Sequence, residues 1–231
     1  MPGTAAVEVL ADPAAACARL LTAAAAAGGQ LVLAGGRTPR PAYEHTARDL
    51  AVWHAATLWF GDERCVSPKD ERSNYRMVQS ALLNRLDAAC WPDVQRIRAE
   101  LGPREAADDY ERRLQDAGPG RFDLVLLGLG PDGHTASLFP DQDALGERER
   151  LVVGVEHPAR APFVPRVTLT LPALASTGRV VFLVTGSEKA EAVAAAFGPH
   201  ARPDPHVPAS MLPPLVDDLV VLLDRAAASR L

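Results

Sequence analysis

A histidine directly follows a glycine-rich turn in the stretch VLLGLGPDGHTASLFP, residues 125–140. Gly128, Gly130 and Gly133 have the GxGxxG spacing, which is typical of a dinucleotide-binding turn when it follows the first strand of a chain. Here the motif follows what the sequence predicts as the fourth strand, and the charged region about 20 residues further on is poorly placed to bind a ribose. The pattern instead favours the other use of such glycines, which is to let backbone N–H groups approach an anion or a carbonyl oxygen.

The residue after this turn, His134, is the candidate catalytic base. We expect it at the N-terminus of a helix, where the helix dipole disfavours the imidazolium and keeps a neutral base available near pH 7. A neutral imidazole can take a proton from water. A capping or core histidine is the alternative, and it is the favoured interpretation for the other five of the six histidines.

A second glycine-rich loop, AGGRTP, suits a phosphate group. Gly35, Gly36 and Thr38 precede a predicted helix, and the N-terminus of a helix offers unpaired N–H groups to an anion. A plain tight turn with Thr38 as the helix cap would show the same residues. The loop alone therefore leaves both interpretations open.

Charged side chains follow two further predicted strands. In GDER, Asp62 could orient His134 or a water molecule, and Arg64 could bind a phosphate through two parallel hydrogen bonds. The alternative for GDER is a solvated run of charges. In TGSEK, Lys189 falls in the first turn of a helix, where a cation opposes the dipole and so indicates an anionic ligand. Together, the loops favour a small phosphorylated substrate.

Other chemistries have weaker support in the sequence. There is no GxSxG motif, so we expect Ser137 to be a helix residue rather than a nucleophile, and Cys65 lacks a pattern of its own. Neither HExxH nor a repeated carboxylate spacing indicates a metal. Hydrolysis by a positioned water is the simplest chemistry that these residues predict.

The elements that must position these loops alternate between helix and strand. Predicted helices are DPAAACARLLTAAAAAGG, one that Thr38 caps, RSNYRMVQSALLNRL, GPREAADDYERRLQDAG, SEKAEAVAAAF and a short one at the C-terminus. Predicted strands are QLVLAGG, ATLWFGDERCV, VQRIRAE, FDLVLLG, RVTLTLPAL, RVVFLVTGS and DDLVVLLD. Apolar strands alternating with helices predict a three-layer α/β/α sandwich with a mainly parallel central sheet. Ligands bind such sheets outside the carboxyl ends of the strands, which is where the loops above lie.

Composition and charge narrow the class of protein. The 231 residues show no internal repeat or linker and predict one domain over residues 1–231. A net charge of -5 argues against nucleic acid or an anionic membrane as partner. The three cysteines form no CxxC pair, and neither a signal peptide nor an apolar membrane span is visible. We therefore expect a cytoplasmic protein, either a monomer or a small homo-oligomer.

The motifs resemble those of the glucosamine-6-phosphate isomerase/6-phosphogluconolactonase family, and within it the 6-phosphogluconolactonases. The resemblance runs through LVLAGGRTP, WFGDERCVSPKDERSNYRM, FDLVLLGLGPDGHTASLFP, PRVTLTLPAL, VTGSEKAEAV and VPASML, in that order. It implies hydrolysis of 6-phospho-D-glucono-1,5-lactone to 6-phospho-D-gluconate, a step of the oxidative pentose phosphate pathway. It also implies an enzyme without a metal or redox cofactor.

The same resemblance implies roles for individual residues. His134 resembles the catalytic base, and Asp62, Arg64, Arg166 and Lys189 resemble residues that line the site. Backbone amides near Gly130 are expected to stabilise the developing oxyanion. One departure is Arg37, since many relatives have serine there, and another is ARAPFVPR, where a Lys-Pro-Pro stretch is expected. We expect the loop EHPARAPFVP to border the site.

Two other functions fit the same resemblance. The first is an isomerase or deaminase of amino-sugar phosphates, whose loop reads approximately DGHIAFNEP. In this chain the loop reads DGHTASLFP, with Leu138 and Phe139 in the region of the expected Asn and Glu. Apolar side chains there cannot orient a proton-transfer histidine by hydrogen bonding. The second is a non-enzymatic sugar-phosphate sensor, which would be expected to carry a DNA-binding segment, and none is visible.

Overall fold

The computed structural model describes residues 5–48, 53–118 and 121–231 as alternating strands and helices. The strands are β1 Ala6–Val9, β2 Gln30–Leu33, β3 Thr57–Phe60, β4 Asp62–Arg64, β5 Asp93–Val94, β6 Phe122–Leu127, β7 Val152–Val155, β8 Arg166–Leu169, β9 Thr177–Val184 and β10 Leu219–Leu223. The helices are α1 Pro13–Ala26, α2 Arg40–Thr46, α3 Asn74–Ala81, α4 Pro103–Ala117, α5 Asp143–Gly146, α6 Leu171–Ala175 and α7 Ala190–Phe197.

Seven of these strands form one parallel sheet in the order β1-β10-β9-β6-β2-β3-β5. The central strands are buried apolar runs, which is typical of a sheet covered on both faces. Helices lie on both sides, and α1 packs against β2, β9 and β10. The predicted three-layer α/β/α class with a mainly parallel central sheet is confirmed.

A second, antiparallel sheet lies beside the first in the order β4-β8-β7. The prediction of one strand over ATLWFGDERCV is wrong, because the chain leaves the parallel sheet at Gly61, whose N–H donates to Leu33 O. The residues that follow pair with β8 instead, with Asp62 opposite Thr168 and Arg64 opposite Arg166. RVTLTLPAL therefore contributes to the small sheet and not to the parallel one.

Three predictions about helices are wrong: a helix after His134, Thr38 as a helix cap, and a short C-terminal helix. No helix follows His134: the chain turns, with Gly133 at φ +81°, and Thr135 bridges to Leu138. Thr38 is not the N-cap of a helix: α2 begins at Arg40, its N-cap residue is Pro39, and no side chain caps it. Residues 225–230 form turns in place of a C-terminal helix, with Ala228 N–H donating to Asp224 O and Ser229 N–H donating to Ala226 O.

The end of β3 is held by a buried tyrosine from α4. The Tyr110 hydroxyl accepts from Phe60 N at 2.8 Å and also reaches Phe60 O at 3.3 Å, so both backbone groups have a partner where β3 ends. Tyr110 packs edge-on against Trp59, with ring centroids 5.7 Å apart. This packing places the start of β4, and with it Asp62, at the carboxyl edge of the parallel sheet. Within the described ranges, none of the helices combines the length and the apolar character needed to cross a membrane.

Candidate active site

The loops after β2, β3, β6 and β9 meet at the carboxyl edge of the parallel sheet, as the sheet topology requires. They enclose a cavity of about 260 Å³. All ten residues that the sequence predicts for the site line it: Gly35, Gly36, Arg37, Thr38, Asp62, Arg64, Gly130, His134, Arg166 and Lys189. The glycine-rich turn and the charged loops therefore belong to one site.

His134 is hydrogen-bonded to a carboxylate that is its near neighbour in sequence. Its Nδ1 lies 2.5 Å from Asp132 Oδ1, and its ring packs against Phe139 with centroids 4.7 Å apart. Because an ionised carboxylate only accepts hydrogen bonds, Nδ1 carries the proton and Nε2 is the unprotonated nitrogen of the neutral ring. Nε2 meets no partner among the described residues, which leaves it available as a proton acceptor.

The turn that brings the two side chains together depends on two glycines. Gly133 has φ +81°, a backbone conformation that allows the chain to fold back between Asp132 and His134. A Cβ at Gly130 would lie 2.0 Å from His134 Nδ1, so the absent side chain provides the space for the imidazole. The Gly130 N–H is itself engaged, because it donates to His134 O at 2.8 Å. That backbone amides near Gly130 stabilise the oxyanion therefore stays a prediction for its neighbours.

Asp132 also receives a cation from the loop EHPARAPFVP, which brings this loop next to the Asp132–His134 pair. Arg160 Nε donates to Asp132 Oδ2 at 2.8 Å. Burial opposes ionisation of the carboxyl, but the hydrogen bonds from His134 and Arg160 outweigh it, and the pKa of Asp132 is lowered. Sequence reasoning missed Asp132, although its position two residues before His134 in PDGH was the available signal.

Asp62 contacts other partners than those considered from sequence. Its Oδ2 accepts from Ser137 Oγ at 2.7 Å and its Oδ1 from Asn74 Nδ2 at 3.0 Å. Arg166 Nη1 lies 4.0 Å from Oδ2. Asp62 therefore neither orients His134 nor pairs with Arg64 within the described structure. It is a buried carboxylate at the wall of the cavity.

The two arginines beside Asp62 differ in how many donors they have already used. Arg166 is buried and donates to Val164 O, Arg160 O and Pro162 O, so it holds the loop that carries Arg160. Burial lowers the pKa of Arg166, and the Asp62 charge opposes this. Arg64 donates through Nη1 to Arg72 O, while its buried Nε has no partner within the described structure.

The loop after β2 presents a row of backbone donors. Gly36 has φ +89°, and no N–H of residues 35–38 donates a hydrogen bond to any described group. Lys189 lines the same cavity as this loop, with Arg37 and Arg160 among its electrostatic neighbours. Burial lowers the pKa of Lys189, and Glu188 opposes this. Free amides next to cations make this end of the cavity an anion-binding surface.

Two functional details escaped sequence reasoning because they depend on long-range contacts. Glu63 of GDER has a structural role. Its carboxylate accepts from Ser73 Oγ and from the amides of Arg64, Asn74 and Tyr75, and so anchors the start of α3. Burial raises the pKa of Glu63, and these hydrogen bonds counter it. Ser137 lies in the turn, where it is completely buried, and not in a helix as predicted.

A metal centre has no donor set in the described part of the chain. Three or more His, Cys, Asp or Glu side chains do not gather anywhere among those residues in a way that could hold an ion. Cys65 is half-buried, and burial raises the pKa of its thiol to about 12, so it is not a thiolate nucleophile or ligand. The chemistry of the cavity therefore rests on the imidazole, the carboxylates and the cations.

Known proteins with this sequence pattern share the fold along most of their length. A family model described as glucosamine-6-phosphate isomerases/6-phosphogluconolactonase matches residues 4–221. The chain is 39% identical over 236 residues to 6-phosphogluconolactonase of Homo sapiens, which covers 98% of this chain and 88% of the relative. The crystal structure of 6-phosphogluconolactonase from Leishmania guyanensis superposes with a TM-score of 0.84 at 30% identity, over 97% of each chain.

The fold by itself does not separate the two activities named in that family. A monomeric glucosamine-6-phosphate deaminase superposes with a TM-score of 0.81 over 99% of this chain and all of its own, at 21% identity, which shows the fold alone. The match of the family model over nearly the whole chain, together with the relative at 39% identity, is what decides membership. The chain belongs to the glucosamine-6-phosphate isomerase/6-phosphogluconolactonase family.

Proposed function

We propose that this enzyme hydrolyses 6-phospho-D-glucono-1,5-lactone to 6-phospho-D-gluconate. The observation that carries the proposal is the Asp132–His134 hydrogen bond beside a cavity whose lining also offers cations and free amides. A general base beside an anion-binding surface is what hydrolysis of a phosphorylated ester requires. The name of the human relative at 39% identity supports the same substrate.

The hydrolysis needs one base that also acts as an acid. His134 Nε2 takes a proton from water, and the water oxygen attacks the lactone carbonyl carbon to form a tetrahedral intermediate. Asp132 stabilises the resulting imidazolium: its carboxylate accepts the Nδ1–H hydrogen bond, and its negative charge lies next to the positive ring. His134 then returns a proton from Nε2 to the ring oxygen as the C1–O bond breaks, and the acid product leaves.

The phosphate of the substrate lies remote from the bond that breaks and serves to position it. The amides of residues 35–38, with Arg37 and Lys189, are the groups that we assign to it. Arg64 keeps donors that its bond to Arg72 O does not use, and we assign it to the substrate as well. Binding energy at this remote group holds the carbonyl in line with the attacking water.

The loop after His134 favours hydrolysis over amino-sugar isomerisation. Leu138 and Phe139 are completely buried, and the Phe139 ring packs against the imidazole at a tilt of 42°. Isomerisation needs a second proton-transfer group over the neighbouring sugar carbon, and these side chains supply no hydrogen bond there. A lactone requires only the single base that the Asp132–His134 pair provides.

The proposal is tested with the purified protein and freshly generated lactone. We expect formation of 6-phosphogluconate, followed through a coupled dehydrogenase, at a rate far above spontaneous hydrolysis. Glucosamine 6-phosphate should release no ammonia under the same conditions. Ammonia release together with an inert lactone would reverse the assignment.

A further inference from the structure

The carboxylate of Asp62, a residue that lines the cavity, has hydrogen-bonding capacity that no described group uses. A carboxylate offers about four lone-pair positions, two on each oxygen. In Asp62 one position on Oδ1 accepts from Asn74 Nδ2 and one on Oδ2 accepts from Ser137 Oγ. Arg166 Nη1 stays at 4.0 Å, beyond a direct hydrogen bond. One acceptor position on each oxygen is therefore left for a ligand.

Three elements clamp the carboxylate in one orientation. Ser137 is completely buried and its N–H donates to Thr168 Oγ1 at 3.1 Å, which ties the turn after β6 to β8. Asn74 is 1% exposed, and its Nδ2 also donates to Asp62 O at 2.9 Å. Asp62 itself lies at the start of β4. Because each donor is buried and itself anchored, the carboxylate cannot turn freely toward another partner.

The groups that Asp62 can accept from are hydroxyl groups. An ionised carboxylate repels phosphate and accepts only from N–H or O–H donors. Asp132 already orients the catalytic imidazole, so this task does not need Asp62. Two adjacent acceptor oxygens at a cavity wall match neighbouring hydroxyl groups on a sugar-derived ring, and hydrogen bonds to a charged acceptor are stronger than neutral ones.

We propose that Asp62 forms a hydroxyl-recognition subsite for the ring of the substrate and that Ser137 is its positioning residue. The proposal rests on the proposed lactone hydrolysis and names the part of the substrate that Asp62 reads. Ser137 acts through Asp62: its hydroxyl holds Oδ2 so that the remaining lone pairs meet ring hydroxyl groups. The subsite selects polyhydroxylated lactones, while the amides of residues 35–38 select the phosphate.

The test compares variants on 6-phosphogluconolactone and on its 2-deoxy, 3-deoxy and 4-deoxy analogues. In the wild type we expect at least one missing hydroxyl to lower kcat/KM by roughly tenfold to a hundredfold, as for a lost hydrogen bond to a charged group. In Ser137→Ala this discrimination should shrink several-fold, mainly through KM, and in Asp62→Asn it should nearly vanish. Ser80→Ala, which removes a hydroxyl bonded to Met77 O on α3, should keep the discrimination of the wild type.

The ratios of kcat/KM in these variants decide whether the subsite exists. Unchanged discrimination in Ser137→Ala or in Asp62→Asn, with the thermal unfolding midpoint near that of the wild type, overturns the proposal. Should Ser137→Ala fail to fold, Ser137→Cys keeps the volume and weakens the donor, and the same ratios are measured. Should the wild type hydrolyse no lactone, the function fails separately. Calorimetric binding of 6-phosphogluconate and its deoxy analogues to the same variants then decides the subsite.

Discussion

His134 and Asp132 form the residue pair on which the proposed chemistry depends. In the variant His134→Ala we expect kcat to fall by about a hundredfold or more, since a general base contributes on the order of 10² to 10⁴. The side chain packs on Phe139 at the cavity wall, so the far-ultraviolet circular dichroism and the unfolding midpoint should stay close to those of the wild type. Near-normal turnover in a folded variant would contradict the proposed base.

The lowered pKa of Asp132 predicts that the free energy of unfolding depends on pH. Its pKa in the folded protein lies below 3.8, the ordinary value for an aspartate, so its contribution to the free energy of unfolding is present above that value. The contribution is lost as pH falls through the folded pKa. In Asp132→Asn the loss of stability relative to the wild type should therefore be largest near pH 7 and should shrink toward about pH 3. Urea unfolding at a series of pH values measures this difference, and a difference that grows on acidification would argue against the ion pair between Asp132 and Arg160.

Arg64 is the residue that tests phosphate recognition. Removing its guanidinium in Arg64→Ala should shrink the preference for phosphorylated lactone over unphosphorylated gluconolactone, because charge-assisted hydrogen bonds are lost. Arg112→Ala is the matched control, since that arginine is exposed on α4 and, among the described residues, its side chain bonds to Asp108 O alone. A variant that keeps the full preference, measured as the ratio of kcat/KM values, would reassign Arg64 to its contact with Arg72 O.

At the scale of elements, the loop between β2 and α2 is shaped by its contact with α3. A Cβ at Gly35 would lie 1.9 Å from Asn74 Oδ1, and Asn74 is buried and bonded to Asp62. We expect Gly35→Ala to displace the loop or Asn74, to raise KM, and to lower the free energy of unfolding by about 1–3 kcal/mol, as overpacking does. Steady-state kinetics and urea unfolding measure both effects.

Gly146→Ala on α5 is the control for this change. A Cβ there meets nothing within 4 Å, and its φ is not positive. Its KM and its unfolding free energy should match those of the wild type. If Gly35→Ala behaved in the same way, the close packing between the phosphate-side loop and Asn74 would not limit the site.

The parallel elements could be predicted because their signals are local. The apolar run of β6, the Pro13 start of α1 with Asp12 as its cap, and the glycine that ends α4 are all read from neighbouring residues. The extent of β5 and the switch from β3 to β4 could not, since only the partner strand decides them: the sequence predicts a strand over VQRIRAE, but of its residues only Val94 belongs to β5. β8 is as buried as the central strands, and its place in the small sheet depends on pairing with residues about 100 positions away.

At the scale of the whole molecule, activity should not depend on a metal. The prediction comes from the missing ligand spacings in the sequence and from the absence of a suitable donor cluster in the described ranges. Exhaustive chelation followed by gel filtration should leave the rate of lactone hydrolysis unchanged. Activity that returned only with an added divalent ion would count against a mechanism based on His134. That residues 1–231 act as one domain also stays a prediction, with the family model covering residues 4–221.

The sequence by itself determined which loops form the site, because in a parallel sheet every segment that follows a strand emerges at the same edge. Gly35, His134 and Lys189 could therefore be grouped before any coordinates. Only the tertiary structure decided which side chains touch. Asp132, and not Asp62, holds the imidazole, since a positive φ at Gly133 folds the turn back on itself, while Ser137 reaches Asp62 across 75 residues of chain. Hydrogen-bond partners depend on distances of a few tenths of an ångström, which residue type and spacing do not specify.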